Sequence, residues 1–332
     1  MKKSFQLFII PLLFIPHLAK AQSLLDSLVN TDTIYSIIEK LSSDSLKGRL
    51  TGTKENLESA TYITRKFEEF GLKKVQGLDG YYEKIDSLNY NIIGLLKGKS
   101  KPNELVIFSA HYDHIGTLKT NPYPFFKRDK EAEKYDTIFN GANDNASGVS
   151  ALITLAKYFS ITNNNERSIM FIAFTGEEVG LLGSKFSANQ VDENAVVAML
   201  NFDMIGRNYS NKKNPFITGS EYSNLIDILN RNLKKYDLKK YGRSFIERDP
   251  FIYANLFWRS DNIPFVFRRI PAHTISATSP DDEFYHHLKD EIQTIDCNLI
   301  AEIIKASIIG TSTIVDATEK STRINDYFFR KR

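Results

Sequence analysis

Cysteine is nearly absent from this chain, which has only Cys297 among its 332 residues. One thiol cannot form a disulfide within the chain, so a disulfide-stabilised scaffold is excluded. Cys297 lies in a largely apolar segment, and we predict that it is a small core residue. The fold must therefore be held by its hydrophobic core, which a chain of this length can build.

A long membrane-spanning run is missing as well. The apolar segment 5–18 comprises about 14 residues, fewer than the roughly 20 that a spanning helix needs. It follows the basic Met1-Lys2-Lys3 and precedes Ala19-Lys20-Ala21, which places small residues where signal peptidase cleaves. We therefore predict a signal peptide over residues 1–21, export to the periplasm or the medium, and no membrane anchor after cleavage.

An excess of either charge is missing from the predicted mature chain. The formal net charge of +3 comes entirely from Lys2, Lys3 and Lys20, because residues 1–21 contain no acidic side chain. Without that segment the basic and acidic residues balance. The charge therefore gives no reason to expect a nucleic-acid partner.

Short β-branched and apolar runs alternate with helical patterns along the chain. The predicted strands are residues 91–96, 104–110, 168–174, 196–201 and 264–270. The segments with helical spacing are residues 33–42, 55–70, 148–159, 223–236 and 291–309. This alternation predicts an α/β fold with a largely parallel sheet that is covered on both faces.

Two segments do not follow a regular pattern. Residues 117–138 are polar and aromatic and contain two prolines, which predicts a long surface loop of the kind that is often functional. Residues 321–332 are highly charged, and we predict that they are frayed.

Histidine is sparse and clustered. Four of the six histidines fall in two short windows. His111 and His114 lie in Ser-Ala-His-Tyr-Asp-His-Ile-Gly, directly after a predicted strand, and His286 and His287 lie in Phe-Tyr-His-His-Leu-Lys-Asp. Open α/β sheets bind ligands at the carboxyl ends of their strands, so this clustering suggests a metal site.

Carboxylates occur in matching places. Asp144 lies in a turn-rich segment that opens a helix, Glu177 and Glu178 follow one predicted strand, and Asp203 follows another. Each has an ordinary explanation when taken alone: a helix cap for Asp144, and a solvated acidic pair for the two glutamates. Together they predict a carboxylate cluster, which is costly in a buried site without cations. Two Zn²⁺ ions and a bound hydroxide would bring such a site close to neutral.

Taken in order, these windows resemble the zinc aminopeptidase family that includes bacterial leucyl aminopeptidase and aminopeptidase Y. Glutamate carboxypeptidase II and the glutaminyl cyclases are wider relatives. The resemblance runs from about residue 35 to about residue 310 and includes the early segment 41–53. It implies a three-layer α/β/α sandwich with a mixed, largely parallel central sheet. It also implies that residues 22–332 form a single zinc peptidase domain.

The resemblance also implies a role for each site residue. Asp144 would bridge two zinc ions, with His111 and Asp203 completing one site, and Glu178 and His286 the other. Glu177 would be the general base. Asp113 would orient the His111 ring from behind. The family pattern Tyr-His-x-x-x-Asp is matched by Tyr285, His286 and Asp290, which favours His286 over His287 as the ligand.

The expected reaction is hydrolysis at the amino terminus of a peptide. Two zinc ions lower the pKa of a shared water toward about 7, and Glu177 would take the proton of this water and deliver it to the leaving amine. The aromatic residues Tyr123, Phe125, Phe126, Phe257 and Trp258 either form a pocket for the first side chain or are packing residues. Asn262 stands where the family often has histidine, which puts contacts to the substrate in doubt.

Two alternatives remain open. A glutaminyl cyclase-like acyltransferase shares the fold and works with one zinc. Its relatives tend toward His-Trp-Asp and Asp-Gly-Gly-Ser-Gly, whereas this chain has Tyr112 and Asn145 at the distinguishing positions. A non-catalytic binding ectodomain of the same fold would lack some ligands or the base, and none is missing here.

Overall fold

The computed structural model describes residues 23–121, 129–209, 214–235 and 245–330. The predicted signal peptide lies outside these residues, and so do Tyr123, Phe125 and Phe126 of the predicted surface loop. The remaining predicted site residues are all described.

The described strands form one sheet in the order β1-β2-β4-β3-β5-β8-β6-β7. Their bounds are β1 Tyr82–Lys84, β2 Tyr90–Leu96, β3 Lys101–His111, β4 Arg167–Phe174, β5 Val196–Phe202, β6 Phe216–Ile217, β7 Glu247–Arg248 and β8 Ala272–Ser276. The four central strands β4, β3, β5 and β8 are parallel. Antiparallel pairs flank them, β2 with β4 on one side and β6 with β8 on the other. The sheet is therefore mixed and largely parallel, as predicted.

Helices lie on both faces of this sheet. Their bounds are α1 Thr31–Leu41, α2 Lys54–Glu69, α3 Gly148–Thr162, α4 Leu182–Gln190, α5 Leu225–Lys235, α6 Ile263–Val266, α7 Cys297–Gly310, α8 Ser312–Val315 and α9 Asp326–Arg330. No helix in the described ranges combines the length and apolarity that crossing a bilayer requires.

The two faces are separated by the alternation of side chains along each strand. In β3, Phe108 packs into the core shared by α1, α2, α3, α5 and α7, whereas Ile107 packs into the core shared by α4 and α6. Phe171 and Ile172 divide in the same way in β4. This arrangement confirms the predicted three-layer α/β/α sandwich.

Several helix ends have a local cause in the sequence. The side chain of Asn30 accepts a hydrogen bond from the backbone N–H of Thr33 at the start of α1, and Thr53 does the same for α2. Gly71, just beyond the end of α2, has a φ of 71°, which suits glycine. Asp296 caps α7. Cys297, its first residue, is only partly buried and packs against the core, so the core prediction is confirmed in part.

The predicted strand over residues 264–270 is wrong. The segment begins as the short helix α6, with Pro264 in its first turn, where the missing N–H of proline costs nothing. The strand at this place in the sheet is β8, which starts only at Ala272. The apolar run misled the prediction because a buried helical turn and a buried strand have the same composition.

The prediction of a frayed C-terminus is also wrong for the described part. Residues 326–330 form α9, and the side chain of Phe328 is completely buried. Ile324, just before the helix, is buried as well. The charged residues around them suggested disorder, but two apolar side chains are enough to dock the segment on the α6 face of the sheet.

Candidate metal centre

The predicted ligands meet at the carboxyl ends of the parallel strands. His111 is the last residue of β3, and Asp203 follows the last residue of β5. Glu178 lies in the loop after β4, Asp144 in the loop that leads into α3, and His286 in the loop after β8. Parallel strands place such loops at one edge of the sheet, which is why residues far apart in sequence converge here.

The convergence has a consistent geometry around Asp144. The Nε2 atom of His111 lies 3.3 Å from Asp144 Oδ1 and 3.5 Å from Asp203 Oδ1. The Nε2 atom of His286 lies 3.3 Å from Asp144 Oδ2 and 3.0 Å from Glu178 Oε2. Asp144 therefore presents one carboxylate oxygen to each histidine.

These separations fit zinc. In a tetrahedral site with zinc–ligand bonds of 2.0–2.1 Å, neighbouring ligand atoms lie about 3.3 Å apart. The donor set of histidine nitrogens and carboxylate oxygens is also one that zinc prefers. The residues could therefore hold two ions that share Asp144.

A third histidine, which the sequence analysis left without a role, faces the same cluster. Together with Asp144 and Glu178, His114 forms one of two groups with metal-ligand spacing, and His111, Asp144 and Asp203 form the other. The Nδ1 atom of His114 lies 2.9 Å from Glu178 Oε1 but 3.8 Å from Asp144 Oδ2. The first distance is that of a hydrogen bond, whereas His286 lies closer to Asp144. We therefore retain His286 as the ligand.

His287, the alternative to His286, points away from the cluster. Its Nε2 atom lies 3.6 Å from Asp129 Oδ2, and its Nδ1 atom accepts a hydrogen bond from the backbone N–H of Lys289. Asp129 belongs to the far part of the 117–138 loop. The two neighbouring histidines therefore face different carboxylates, His286 those of the cluster and His287 that of Asp129.

Protonation of the cluster reflects the close approach of acids and bases. Burial alone would lower the pKa of His111, but Asp144 and Asp203 raise it well above its ordinary value. Burial acts to raise the pKa of Asp144, yet His111 and His286 lower it well below its ordinary value. A cation placed between these groups would replace the shared protons, which is how metal binding is coupled to pH.

Glu177 differs from its neighbour Glu178. Its side chain lines an open cavity beside the cluster, and its carboxylate has no hydrogen bond or ion pair within the described residues. Burial, with the carboxylates of Glu178 and Asp261 acting in the same direction, raises the pKa of Glu177 well above its ordinary value. A carboxyl group with a raised pKa beside a reactive centre suits proton transfer.

Asp113 lies behind the cluster and is completely buried. One of its carboxylate oxygens is 3.7 Å from His111 Nδ1, while the backbone carbonyl of Asp113 is closer to that nitrogen, at 3.3 Å. The carboxylate itself accepts hydrogen bonds from the backbone N–H groups of Glu177 and Glu178 and from the hydroxyl of Thr51. Asp113 therefore fixes the Glu177–Glu178 turn as well as contacting the His111 ring.

The loop that carries Asp144 is held by Asp290. Its carboxylate accepts hydrogen bonds from the backbone N–H groups of Asn143, at 3.0 Å, and Asp144, at 3.1 Å. Arg207 in turn donates to Asp290 at 2.6 Å and forms an ion pair with Asp282. Asp290 and Arg207 thus link three loops, those that carry Asp144, Asp203 and His286.

The early segment that resembles the family lies underneath the centre. Arg49 is buried and donates only to backbone carbonyls, namely those of Tyr112, Leu41, Asn140 and Gly141. Burial lowers the pKa of Arg49 to about 10, so the side chain stays charged at neutral pH. It fixes the loops that follow His111 and precede Asp144.

The cavity beside the centre is lined by charged, polar and apolar side chains. Besides Asp144, Glu177 and Asp203, it is lined by Met204, Thr218, Leu256, Ser260, Thr274 and Tyr285, among others. Tyr285 stacks on His286 with ring centroids 4.0 Å apart. Met204 and Leu256, two apolar side chains of this wall, come from separate loops and share no sequence pattern, so the sequence did not predict them.

The predicted aromatic pocket is not formed by Phe257 and Trp258. Both rings pack with Phe328 on the α6 face of the sheet, which favours the packing interpretation. Asn262 is buried too, and it accepts a hydrogen bond from Thr274 and donates to the carbonyl of Phe257. It therefore lies behind the cavity wall rather than facing the substrate side.

The mixed α/β sheet thus carries two histidine–carboxylate groups around one aspartate at the carboxyl ends of its strands. Residues 91–309 match the model of peptidase family M28, and the chain belongs to this family. This confirms the resemblance found in the sequence.

Individual relatives agree with the family. The chain is 26% identical over 243 residues to aminopeptidase YwaD of Bacillus subtilis, covering 70% of this chain and 46% of that protein. The chain spans less than half the length of the first curated relatives it matches.

Solved structures show the same fold. LapA aminopeptidase of Legionella pneumophila aligns with a TM-score of 0.68 at 18% identity, covering 95% of this chain and 78% of that chain. A glutaminyl cyclase of Bacteroides thetaiotaomicron aligns with a TM-score of 0.65 at 23% identity, covering 88% and 98%. Both reaction types occur on this fold, so the fold does not distinguish them.

Proposed function

We propose that this chain is an aminopeptidase that uses two zinc ions to hydrolyse the first peptide bond of peptides. Membership of a peptidase family and the similarity to a Bacillus aminopeptidase support the reaction type. The observation that carries the two-ion proposal is the position of Asp144, whose two oxygens each lie 3.3 Å from a different histidine. A one-ion enzyme has no need of this symmetry.

In this proposal the ligands divide into two sets that share Asp144. His111 and Asp203 complete one set, and Glu178 and His286 complete the other. Zinc lowers the pKa of a bound water to about 7 and polarises a carbonyl group. The remaining chemistry belongs to the side chains around the cavity.

Glu177 is the proposed general base. Its carboxylate takes the proton of the attacking water and later delivers it to the nitrogen of the leaving amine. Asp113 holds the backbone of Glu177 in place, which keeps the carboxylate at the cavity wall. The carboxylate of Glu177 is the acidic group of this wall that no proposed ion uses, and it would attract the ammonium group of a free amino terminus, although Arg259 lines the same cavity.

We further propose that the mature protein acts outside the cytoplasm. The signal-peptide features of residues 1–21 support this location. Expression of the full chain in a bacterial host, followed by fractionation and amino-terminal sequencing, tests it. A mature form that begins at Gln22 in the periplasm or medium is expected, and an uncleaved cytoplasmic product would contradict the proposal.

A peptide-library digest read by mass spectrometry tests the activity. Loss of single residues from the amino terminus, abolished by a chelator and restored by zinc, is the expected result. Conversion of amino-terminal glutamine to a cyclic product without hydrolysis would instead identify a glutaminyl cyclase. No product at all would favour a binding ectodomain.

Counting zinc tests the bridging role. Two ions per chain are expected in the wild type, and Asp144→Ala should reduce occupancy at both positions together. Retention of one tightly bound ion in this variant would contradict the shared-ligand arrangement.

A further inference from the structure

Each outer carboxylate of the centre has one oxygen that already contacts a protein donor. Glu178 Oε1 lies 2.9 Å from His114 Nδ1, while its Oε2 lies 3.0 Å from His286. Asp203 Oδ2 lies 2.6 Å from Ser260 Oγ, while its Oδ1 faces His111 at 3.5 Å. The two carboxylates belong to different loops, yet each is held in the same way.

The direction of these hydrogen bonds follows from the chemistry of the partners. An ionised carboxylate only accepts, so the proton must lie on His114 Nδ1 and on the Ser260 hydroxyl. The Ser260 oxygen also accepts from Asn201 Nδ2 at 2.9 Å, which directs its own proton toward Asp203. Asn201 is oriented in turn, since its Oδ1 accepts from Ser109 Oγ at 2.8 Å.

Neither donor is free to turn away. His114 is completely buried, and its ring lies against Gly141, where an added Cβ would come within 2.6 Å of the ring atoms. Gly141 also has a φ of 59°, so the backbone at this position suits glycine. Ser260 is 4% exposed. The two donors are therefore fixed parts of the site.

We propose that His114 and Ser260 are positioning residues that reserve one oxygen of Glu178 and one of Asp203, so that each carboxylate offers only its other oxygen to an ion. This inference rests on the proposed two-zinc centre. A carboxylate that used both oxygens would fill two positions around an ion, whereas a catalytic site needs a position for water or substrate. Holding the second oxygen keeps that position open.

Paired variants test the role of each donor. His114→Leu removes the donor, and His114→Asn keeps an N–H near the Nδ1 position. Ser260→Ala and Ser260→Thr form the second pair. His287→Leu and Ser307→Ala serve as matched controls, because His287 faces Asp129 and Ser307 bonds to the carbonyl of Ile303 inside α7.

The readouts are zinc content, the visible absorption of the cobalt(II)-substituted protein, and kcat and KM for leucine p-nitroanilide. We expect His114→Leu and Ser260→Ala to retain two ions per chain. The cobalt bands should weaken, because intensity falls as coordination number rises. A decrease in kcat of about 10- to 100-fold is expected, with a smaller change in KM. His114→Asn and Ser260→Thr should recover most of the cobalt absorption and most of kcat. The control variants should match the wild type.

Three results would overturn the inference. Unchanged cobalt spectra and kcat in both donor-free variants would show that the hydrogen bonds do not control the carboxylates. Loss of one zinc in His114→Leu even at saturating metal would make His114 a ligand rather than a positioning residue. Equal losses in the rescue and donor-free variants would indicate a packing effect. A wild type without two zinc ions or without aminopeptidase activity would instead contradict the proposed function itself.

Discussion

Docking of the C-terminal helix can be tested at Phe328. The side chain is completely buried in an aromatic cluster, although it lies in a segment whose composition predicts disorder. Its ring stacks on Trp258 with centroids 4.9 Å apart and an interplanar angle of 17°. It also packs edge-on against Tyr222 at 5.2 Å and against Phe257 at 6.0 Å. Phe328→Ala therefore removes the centre of the cluster.

The expected cost can be estimated from this burial. Replacement of a buried phenylalanine by alanine lowers the free energy of unfolding by about 3–5 kcal/mol, through lost burial and the cavity that remains. The helix is only five residues long, so it has little stability of its own without this anchor. Because Phe328→Ala should detach the whole segment, we expect a loss in the free energy of unfolding in the upper part of this range.

Trp258 makes the assay specific, because it is the only tryptophan of the chain. Urea unfolding followed by tryptophan fluorescence should give the loss of stability. The emission of the folded variant should shift to longer wavelength as water reaches the indole ring. Tyr327→Ala is the control. The side chain of Tyr327, the residue before Phe328, is 49% exposed, so its removal should lower the free energy of unfolding by less than about 1 kcal/mol. Equal stability and emission in the two variants would refute the docking argument.

Three further predictions concern the centre and the core. Glu177→Gln should keep the fold and both zinc ions but lower kcat on the order of 10²-fold or more, and near-normal turnover would exclude it as the base. His286→Ala should reduce zinc content and activity far more than His287→Ala, and the reverse result would exchange their roles. His273 is buried on β8, and burial lowers its pKa to about 4. His273 is therefore neutral in the folded protein and gains a proton on unfolding below pH 6.5. The contribution of His273 to the free energy of unfolding falls by about 2 kcal/mol as the pH is lowered from 7.5 to 5. Urea unfolding at both pH values should show a smaller pH dependence in His273→Gln, and an unchanged dependence would contradict the shift.

The sequence predicted the central strands better than the edges of the fold, and the structure brings the predicted ligands together at the ends of those strands. β3, β4 and β5 are long apolar runs that end in histidine or are followed by acidic loops, so pattern and chemistry agreed there. The strand β8 was misplaced because the apolar residues of α6 precede it directly. The two-residue strands β6 and β7 carry no periodic signal at all, since they exist only through pairing with distant partners.

The roles of His114 and Ser260 could not be predicted from the sequence for a similar reason. His114 contacts Glu178 across 64 positions, and Ser260 contacts Asp203 across 57. Ser260 lies in a segment that resembles a Ser-Asp-His segment of the family, but the resemblance gave this serine no role, and a serine before an aspartate has no distinctive spacing. His114 did carry a signal, the second histidine of a window that already contained His111. Its role follows only from the fold, because Nδ1 reaches a carboxylate rather than the centre of the cluster.

The supply of positive charge is the physical reason to expect metal at this edge of the sheet. Asp144, Glu178 and Asp203 converge in a largely buried space, and such a cluster is unstable without cations. Arg207 pairs with Asp282 and Asp290, and Arg49 donates to backbone carbonyls, so both are already engaged. Arg259 lines the cavity beside the centre and is one further positive charge there. Without an ion, protonated histidines balance part of the carboxylate charge, which is the state that the raised pKa of His111 describes. Zinc supplies the missing charge and releases these protons, so zinc binding should stabilise the fold more strongly at neutral pH than in acid.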